Sequence, residues 1–483
     1  MAARLERPTK QIDITKETMI TNLEITNFRS IQKGNIKLEP LTVIIGANST
    51  GKSNLIKALD FISDITENGI TEAIYKRGGF REILPKQFKD LAGREIVFKI
   101  NITLDTPINW PSKYGELTGV YELGIKQERT GRVRITTESL EMNSFLLYSY
   151  YQEKKMNKKD STLKNESDLP NIDELKNSYF TILRNKKGVL SFNSNVELNI
   201  ENSNLLLNWL GINRMFEVRK ENKLLTAREL RKVIDSLLNN IRPGLKNDEV
   251  PIISLNRAVF NFCPHMRRLS TGLETISRYD LFINELRQEQ LISNTDIVSV
   301  SGDNIPSVVK RFIKEEKESW QRISTTMSNI SPYFSKVHSA SLRAGKEYLI
   351  FEEIFKGRLV ESWEASDGTL RALAILLCLE SHSKGSTILI EEPEHGLHPW
   401  AVKDLMTHIK ETIEIKNLQV ILTTHSPQVL ECINQQELLI TERDENGTTY
   451  SQVNTIIPDP DISMGEIGGL WTSGLLRGVP TSI

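Results

Sequence analysis

The stretch Leu41-Thr-Val-Ile-Ile-Gly-Ala-Asn-Ser-Thr-Gly-Lys-Ser53 joins a continuous apolar run to a Gly-rich loop. Apolar runs of this length are typical of a strand that is buried on both faces. Beyond the loop, apolar residues recur at the spacing of one helix face; they are Leu55, Ile56, Leu59 and Ile62. The order strand, loop, helix is the context that a phosphate-binding loop requires, and it disfavours an ordinary Gly-rich turn.

Gly46–Ser53 matches the pattern G-x-x-x-x-G-K-S of a Walker A loop. Its glycines let several backbone N–H groups point at phosphate oxygens, and the following helix adds its positive N-terminal end. We predict that Lys52 reaches the β and γ phosphates of ATP and that the Ser53 hydroxyl holds Mg2+. The predicted nucleotide-binding residues of this segment are Gly46, Asn48, Ser49, Gly51, Lys52, Ser53 and Asn54.

Two adjacent carboxylates end a second apolar run, in Thr387-Ile-Leu-Ile-Glu-Glu-Pro-Glu394. Carboxylates at the end of a buried strand suit metal binding and proton abstraction. We predict that Glu391 binds Mg2+ directly or through water, and that Glu392 is the general base that polarises the attacking water. A Walker A loop upstream disfavours the alternative, which is a solvated acidic turn.

A histidine follows a third apolar run, in Thr423-Thr-His-Ser-Pro427. A single histidine at a strand end is often structural, but His425 at this position would hydrogen-bond the γ phosphate and hold the attacking water. We therefore predict a catalytic role for His425. His395 and His398 are assigned to an interface rather than to a metal, because no helical H-E-x-x-H pattern is present.

The segment Ser366-Asp-Gly-Thr-Leu-Arg371 stands at the start of a predicted helix. A serine and a glycine that open a helix form an anion-binding site, because the first N–H groups of the helix have no partner within it. An ordinary helix cap explains the same residues equally well. From these residues alone, both interpretations stay open.

Composition restricts the cellular setting and the partners. The three cysteines, Cys263, Cys378 and Cys432, are far apart and form no CxxC pair, which fits a reducing, cytoplasmic setting. No run of about 18 apolar residues predicts a membrane span, and the polar first 18 residues lack the apolar core of a signal peptide. The formal net charge of −1 implies neither DNA nor a membrane as partner.

Contact with DNA would therefore need a local basic patch. Arg267 and Arg268 are candidates, together with the run Lys154, Lys155, Lys158 and Lys159. A solvated charged face is the alternative for the lysine run. DNA stays on the list of expected partners only as an open alternative.

The motif blocks together resemble the ABC-type ATPases of the RecF, SMC and OLD group, and most closely the compact "AAA family ATPases" of bacterial anti-phage defence and abortive-infection loci. Besides the blocks above, the resemblance rests on segments in the expected order; they are Asn27-Phe-Arg-Ser30, Arg77-Gly-Gly-Phe80, Ser301-Gly-Asp-Asn-Ile305, Ile390-Glu-Glu-Pro-Glu-His-Gly-Leu-His-Pro399 and the tail around 465–474. It covers most of residues 19–483.

The resemblance implies further roles. Ser366 and Gly368 would be the ABC signature, which contacts the γ phosphate bound to the other subunit, and Gly396–Pro399 would be the D-loop at the dimer interface. Arg29 would lie near the nucleotide, and Gln87 is a candidate for the Q-loop. The chain departs from the usual pattern because its signature is S-D-G-T rather than S-G-G-Q, and because Glu391 replaces the usual Asp.

We expect an α/β fold, a P-loop ABC-type ATPase with a mostly parallel core sheet, an antiparallel β subdomain and a helical insertion. The predicted parts are an N-terminal tail (1–18), an N-terminal ATPase lobe with Walker A and the β subdomain (19–200), the helical insertion (201–296) and a C-terminal ATPase lobe (297–483). The C-terminal lobe would hold the signature, Walker B, the D-loop and the switch histidine.

The leading hypothesis is a cytoplasmic ATPase of bacterial defence that forms a homodimer or higher oligomer around ATP and regulates a separate effector, a nuclease or toxin of Toprim or HNH type. An effector on another chain is expected because too few residues follow Asp444-Glu-Asn-Gly447 for a Toprim domain. The alternative is a RecF-like ATPase of DNA repair or maintenance. A transporter subunit is disfavoured because the insertions are long and the signature is degenerate.

Overall fold

The computed structural model describes residues 19–86, 94–104, 117–143, 179–184, 190–194, 251, 272–453 and 466–476. Its central sheet contains β3 (Leu41–Gly46), β9 (Ile276–Tyr279), β14 (Thr387–Glu391), β15 (Gln419–Thr423), β16 (Leu438–Asp444) and β17 (Gly447–Gln452). The spatial order is β17-β16-β3-β15-β14-β9. Every neighbouring pair is parallel except β16 and β17, so the prediction of a mostly parallel core sheet is confirmed.

A second, antiparallel sheet forms the predicted β subdomain. Its strands are β1 (Met19–Phe28), β2 (Ile31–Lys37), β4 (Glu95–Leu104), β5 (Leu117–Gln127), β6 (Val133–Asn143), β7 (Tyr179–Arg184) and β8 (Leu190–Ser194). They follow the order β2-β1-β4-β5-β6-β7-β8. Alternate residues of β4 are buried, as expected for a sheet that covers a core with one face. The antiparallel β subdomain is therefore confirmed.

The described helices are α1 (Lys52–Asn68), α2 (Ile70–Tyr75), α3 (Phe80–Ile83), α4 (Ile283–Arg287), α5 (Ile305–Glu315), α6 (Lys317–Ile330), α7 (Asp367–Ser381), α8 (Pro399–Lys416), α9 (Pro427–Leu430) and α10 (Glu466–Thr472), with a 3-10 turn at Gln435–Glu437. A small antiparallel sheet comprises β10 (Gln290–Leu291), β11 (Phe334–Ser341), β12 (Lys346–Glu353) and β13 (Leu359–Glu361).

Two hydrophobic cores lie on opposite sides of the central sheet. In the first, α1 packs against the antiparallel sheet, and the rings of Phe28, Phe61 and Phe98 lie 5.6–5.9 Å apart. In the second, α7 is buried along nearly its whole length against the central strands and α8. Fully burying one such side chain stabilises the fold by roughly 1.5–3 kcal/mol. The two cores fix the ends of β3, β14 and β15, from which the functional loops emerge.

One expected boundary is wrong. We assigned residues 201–296 to a helical insertion, but Ile276–Tyr279 forms β9 and pairs in parallel with β14. This strand has four residues, too few to interrupt a helical pattern visibly, and its partner lies more than a hundred residues away. Residues 201–250 and 252–271 lie outside the described part of the chain. Among the residues that the structure describes, no helix has both the length and the apolar composition that crossing a membrane requires.

Candidate ATP site

The phosphate loop lies between the end of β3 and the start of α1. Gly51 precedes α1 with a φ of 116°, a backbone conformation that favours glycine. A Cβ at Gly51 would also lie 2.3 Å from the Thr448 hydroxyl oxygen, so the close approach of β17 excludes a side chain. The second glycine of the Walker A pattern therefore has a physical reason in this fold.

Lys52 and Ser53 start α1 at the carboxyl edge of the sheet. The Lys52 ammonium donates to the carbonyl oxygens of Gly46 (2.9 Å) and Ala47 (3.0 Å), which holds it inside the curl of the loop. Burial lowers the pKa of Lys52, and the Glu392 carboxylate opposes that shift. An ammonium held there by two carbonyls fits the role of a phosphate-binding charge.

Ser53 and Glu391 meet across the loop. The Ser53 hydroxyl donates to Oε2 of Glu391, and Oε1 of Glu391 lies 3.2 Å from a guanidinium nitrogen of Arg278. In the described part of the chain no three His, Cys, Asp or Glu side chains gather as a metal cluster. One hydroxyl and one carboxylate still fit Mg2+, because this ion commonly takes its remaining ligands from substrate phosphates and water.

Glu392 is the first residue beyond β14 and has an unusual backbone. Its φ is 48°, in the left-handed region, and its N–H donates to the Thr423 carbonyl at 3.0 Å. The Arg371 guanidinium donates to the carbonyls of Glu391 (3.1 Å) and Glu392 (3.2 Å). Such conformations are uncommon for residues other than glycine and cluster at functional sites.

His425 faces Glu392 from the loop that follows β15. Its Nε2 atom lies 3.7 Å from Oε1 of Glu392. Burial lowers the pKa of His425, the Lys52 ammonium lowers it further, and the Glu392 carboxylate acts in the opposite direction. His425 is therefore neutral at neutral pH and can accept or donate a hydrogen bond.

Glu394 is bonded to the loop that carries His425. Its Oε1 accepts hydrogen bonds from the Thr424 hydroxyl (2.5 Å) and the His425 N–H (3.2 Å). Burial raises the pKa of Glu394, while these hydrogen bonds lower it. The side chain therefore holds the histidine loop in place.

The proposed signature residues, Ser366 and Gly368, lie at the start of α7. Ser366 caps α7 by accepting a hydrogen bond from the Thr369 N–H at 3.1 Å, so the helix-cap interpretation is confirmed, and it leaves anion binding open. A Cβ at Gly368 would lie 2.4 Å from the Gly396 carbonyl oxygen, and Asp367 forms an ion pair with Arg287. Among the described residues, neither Ser366 nor Gly368 contacts the phosphate loop, its carboxylates or His425 through a hydrogen bond or ion pair.

The hairpin of β16 and β17 turns at Asp444–Gly447, and its support of the phosphate loop was not predicted from the sequence. The hydroxyl of Thr448 donates to the Thr50 carbonyl (2.5 Å), and the hydroxyl of Tyr450 donates to the Gly51 carbonyl (3.0 Å). Arg443 donates to the Ser49 carbonyl at 3.2 Å. No motif marks these residues, because their role depends on pairing between β16 and β3.

Three other predicted residues are Arg29, Asn48 and Asn54. Arg29 donates its N–H to the Ile83 carbonyl (2.7 Å), and burial together with nearby Arg77 lowers the pKa of Arg29. No hydrogen bond joins Arg29 to the loop Gly46–Ser53 among the described residues. Asn54 donates to the Ser30 hydroxyl at 2.6 Å, and Asn48 lies exposed in the loop. Their contacts with nucleotide stay predictions.

Some predicted residues cannot be located. The Q-loop candidate Gln87, Cys263 and the basic candidates Arg267, Arg268, Lys154, Lys155, Lys158 and Lys159 lie outside the described residues. Arg278 was not predicted, although its guanidinium contacts Glu391. Arg278 reaches Glu391 because β9 pairs with β14.

Comparison with known families identifies the domain. A family model described as "AAA domain, putative AbiEii toxin, Type IV TA system" matches residues 41–164 and 155–431. This chain belongs to that AAA family. Together with the phosphate loop, the Glu391–Glu392 turn and the mostly parallel sheet, this match confirms the resemblance to ABC-type ATPases of the RecF and SMC kind.

Individual relatives of this AAA-family chain are distant. The DNA replication and repair protein RecF of Renibacterium salmoninarum is 35% identical over 54 residues, which are 11% of this chain and 14% of that protein. The SMC head domain from Thermotoga maritima covers 90% of this chain and 98% of its own length, with 11% identity and a TM-score of 0.37.

An Smc head domain of Pyrococcus furiosus, solved with an extended coiled coil and the C-terminal domain of ScpA, covers 91% of this chain and 98% of its own length. Its identity is 12% and its TM-score is 0.41.

Proposed function

We propose that this chain binds and hydrolyses ATP as an ABC-type ATPase, and that two copies close around the nucleotide. One observation carries the proposal. Lys52, Ser53, Glu391 and His425 converge on one edge of the sheet, whereas among the described residues no hydrogen bond joins Ser366 to any of them. A complete γ-phosphate site would therefore combine the phosphate loop of one chain with the signature of the other.

Each residue of the site has a defined task in hydrolysis. Lys52 would bind the β and γ phosphates as a point charge, and Glu392 would accept the proton of the attacking water. His425, neutral at neutral pH, would hydrogen-bond that water or the γ phosphate. Ser53 and Glu391 would hold Mg2+, which neutralises charge that develops on the phosphate oxygens when it is bound.

Closure of the dimer would then regulate a partner protein in anti-phage defence. The family description names a putative toxin of a toxin–antitoxin system, which supports a role of this chain in such a system. In this scheme ATP binding favours the closed dimer and hydrolysis reopens it, so nucleotide state selects between two conformations. A cytoplasmic location is part of the proposal.

The alternative is a RecF-like ATPase of DNA repair or maintenance, which the short RecF match favours. The two functions differ in their ligand. Phosphate contacts of a DNA-binding ATPase would make its affinity for DNA fall steeply as salt rises. Salt-dependent binding of duplex DNA in the presence of ATP would favour the alternative, and its absence would favour control of an effector protein.

Mixing two inactive variants tests the composite site. Ser366→Arg blocks the signature, and Lys52→Ala disables the phosphate loop, so each variant alone should be nearly inactive. In a mixed dimer, the Ser366→Arg chain supplies an intact phosphate loop and Glu392, and the Lys52→Ala chain supplies an intact signature. One site of the two is then complete, and ATPase activity should partly recover on mixing.

The mixture needs two controls. Exchange of subunits is verified with differently tagged chains, and a Glu392→Gln chain in place of Ser366→Arg should give no recovery, because the complete site then lacks its base. Absence of recovery in verified mixed dimers would refute the composite site. ATP hydrolysis would then be completed within one chain, with Ser366 acting as a helix cap.

A further inference from the structure

Arg371 connects the signature helix to the turn that carries the catalytic carboxylate. It lies in the second turn of α7, which begins just after Ser366. Its guanidinium donates to the main-chain carbonyls of Glu391 (3.1 Å) and Glu392 (3.2 Å). The bonds reach the backbone and not the carboxylates, so they fix where the chain turns and leave the side chains free for chemistry.

The turn needs such support. Glu392 has a φ of 48°, and a residue other than glycine persists there only when its surroundings hold it. The N–H of Glu392 is bonded to Thr423 on β15, and its carbonyl is bonded to Arg371. The residue is therefore held on both sides, once by the sheet and once by α7.

The guanidinium of Arg371 has few hydrogen-bond partners. Burial lowers the pKa of Arg371, and the carboxylates of Glu394 and Glu392 oppose that shift. The Nε atom of Arg371 is buried and has no hydrogen-bond partner in the described part of the chain. The two carbonyls are therefore the hydrogen-bond acceptors that orient this guanidinium. Loss of these two hydrogen bonds would leave the Glu391–Glu392 turn without its support from α7.

We infer that Arg371 is a positioning residue, which aims the Glu392 carboxylate of its own chain and links it to the signature at the start of the same helix. The inference rests on the proposed composite site. There, the start of α7 would touch the nucleotide of the second copy, while Arg371, one turn later, holds the base that acts on the nucleotide of its own chain. Each chain thereby connects its two half-sites through one rigid helix.

Kinetics of the whole protein give the first test. Arg371→Gln should lower kcat by about 10- to 100-fold, because misplacing a catalytic group by about 1 Å costs of that order. KM and ATP affinity should change less than about threefold, since Lys52 and the loop are untouched. Arg371→Lys should recover part of kcat, because its ammonium still donates to carbonyls, although the side chain is shorter than that of arginine. Arg358→Gln, at an exposed arginine, is the matched control.

Mixed dimers decide whether Arg371 serves the base or the signature. The starting mixture is Ser366→Arg with Lys52→Ala. Adding Arg371→Gln to the Ser366→Arg chain, which supplies the working Glu392, should abolish the recovered activity. Adding it to the Lys52→Ala chain, which supplies only the signature, should leave most of that activity.

The opposite asymmetry, or equal loss in both arrangements, would overturn the inference, because Arg371 would then stabilise α7 in general. If the starting mixture shows no recovery, the composite site is refuted. The role of Arg371 is then decided from the kinetics of its single variants. In that case, a kcat of Arg371→Gln equal to that of Arg358→Gln, or a fall matched by lost ATP affinity, would overturn the positioning role.

Discussion

Gly368→Ala tests why the proposed signature contains a glycine. The position lies in the first turn of α7, where alanine is normally the better helix former by up to about 1 kcal/mol. The new Cβ, however, would lie 2.4 Å from the Gly396 carbonyl oxygen, and real Cβ atoms essentially never come closer than 3.0 Å to another atom. Overpacking against a backbone atom costs about 1–3 kcal/mol, so steric strain should exceed the propensity gain.

We therefore expect Gly368→Ala to destabilise the protein by about 1–2 kcal/mol. Movement of the Gly396 turn would relieve the strain, and this turn follows directly after the Glu391–Glu394 segment. ATPase activity should therefore fall together with the melting temperature. Thermal unfolding followed by circular dichroism and a steady-state ATPase assay measure the two effects.

Gly469→Ala is the matched control. Gly469 also lies in a helix, α10, but a Cβ there would meet nothing within 4 Å. This variant should melt at or slightly above the wild-type temperature, with unchanged ATPase activity. If Gly368→Ala behaves in the same way, the contact with Gly396 does not restrict this position, and the steric explanation of the glycine is wrong.

Two further substitutions test the chemistry of the site. Lys52→Ala should abolish tight ATP binding, because the β and γ phosphates lose their point charge; isothermal titration that gives unchanged affinity would contradict the Walker A assignment. Glu392→Gln should bind ATP but not hydrolyse it, because an amide cannot accept the proton of water, and size-exclusion chromatography with ATP should detect a trapped dimer. Hydrolysis at the wild-type rate would mean that another carboxylate is the base.

The parts of the site that sequence predicted are those whose chemistry is local. Gly46–Ser53 carries its own loop geometry, and Glu391 and Glu392 stand where a buried strand must end. A motif of this kind can be recognised without knowledge of the rest of the fold. The structure accordingly brings Ser53, Glu391, Glu392 and His425 together as the motifs predicted.

The parts that sequence missed depend on contacts between distant segments. Arg278 lies beside Glu391 only because β9 pairs with β14, and Thr448 supports the loop only because β16 pairs with β3. Gly368 had an ambiguous role for the same reason, since the Gly396 carbonyl that excludes a side chain is distant in sequence. A sequence pattern within a short stretch of the chain does not show which distant segments will pair.

The hairpin of β16 and β17 also affects how the protein is made. β3, which carries the phosphate loop, has β15 and β16 as its two neighbours, and both are synthesised almost 400 residues after it. Closing so long a loop is entropically unfavourable and slow. A growing chain on the ribosome would therefore contain the Walker A sequence long before its nucleotide-binding site was complete. The loop would be fully supported only when residues 438–452 had emerged and paired.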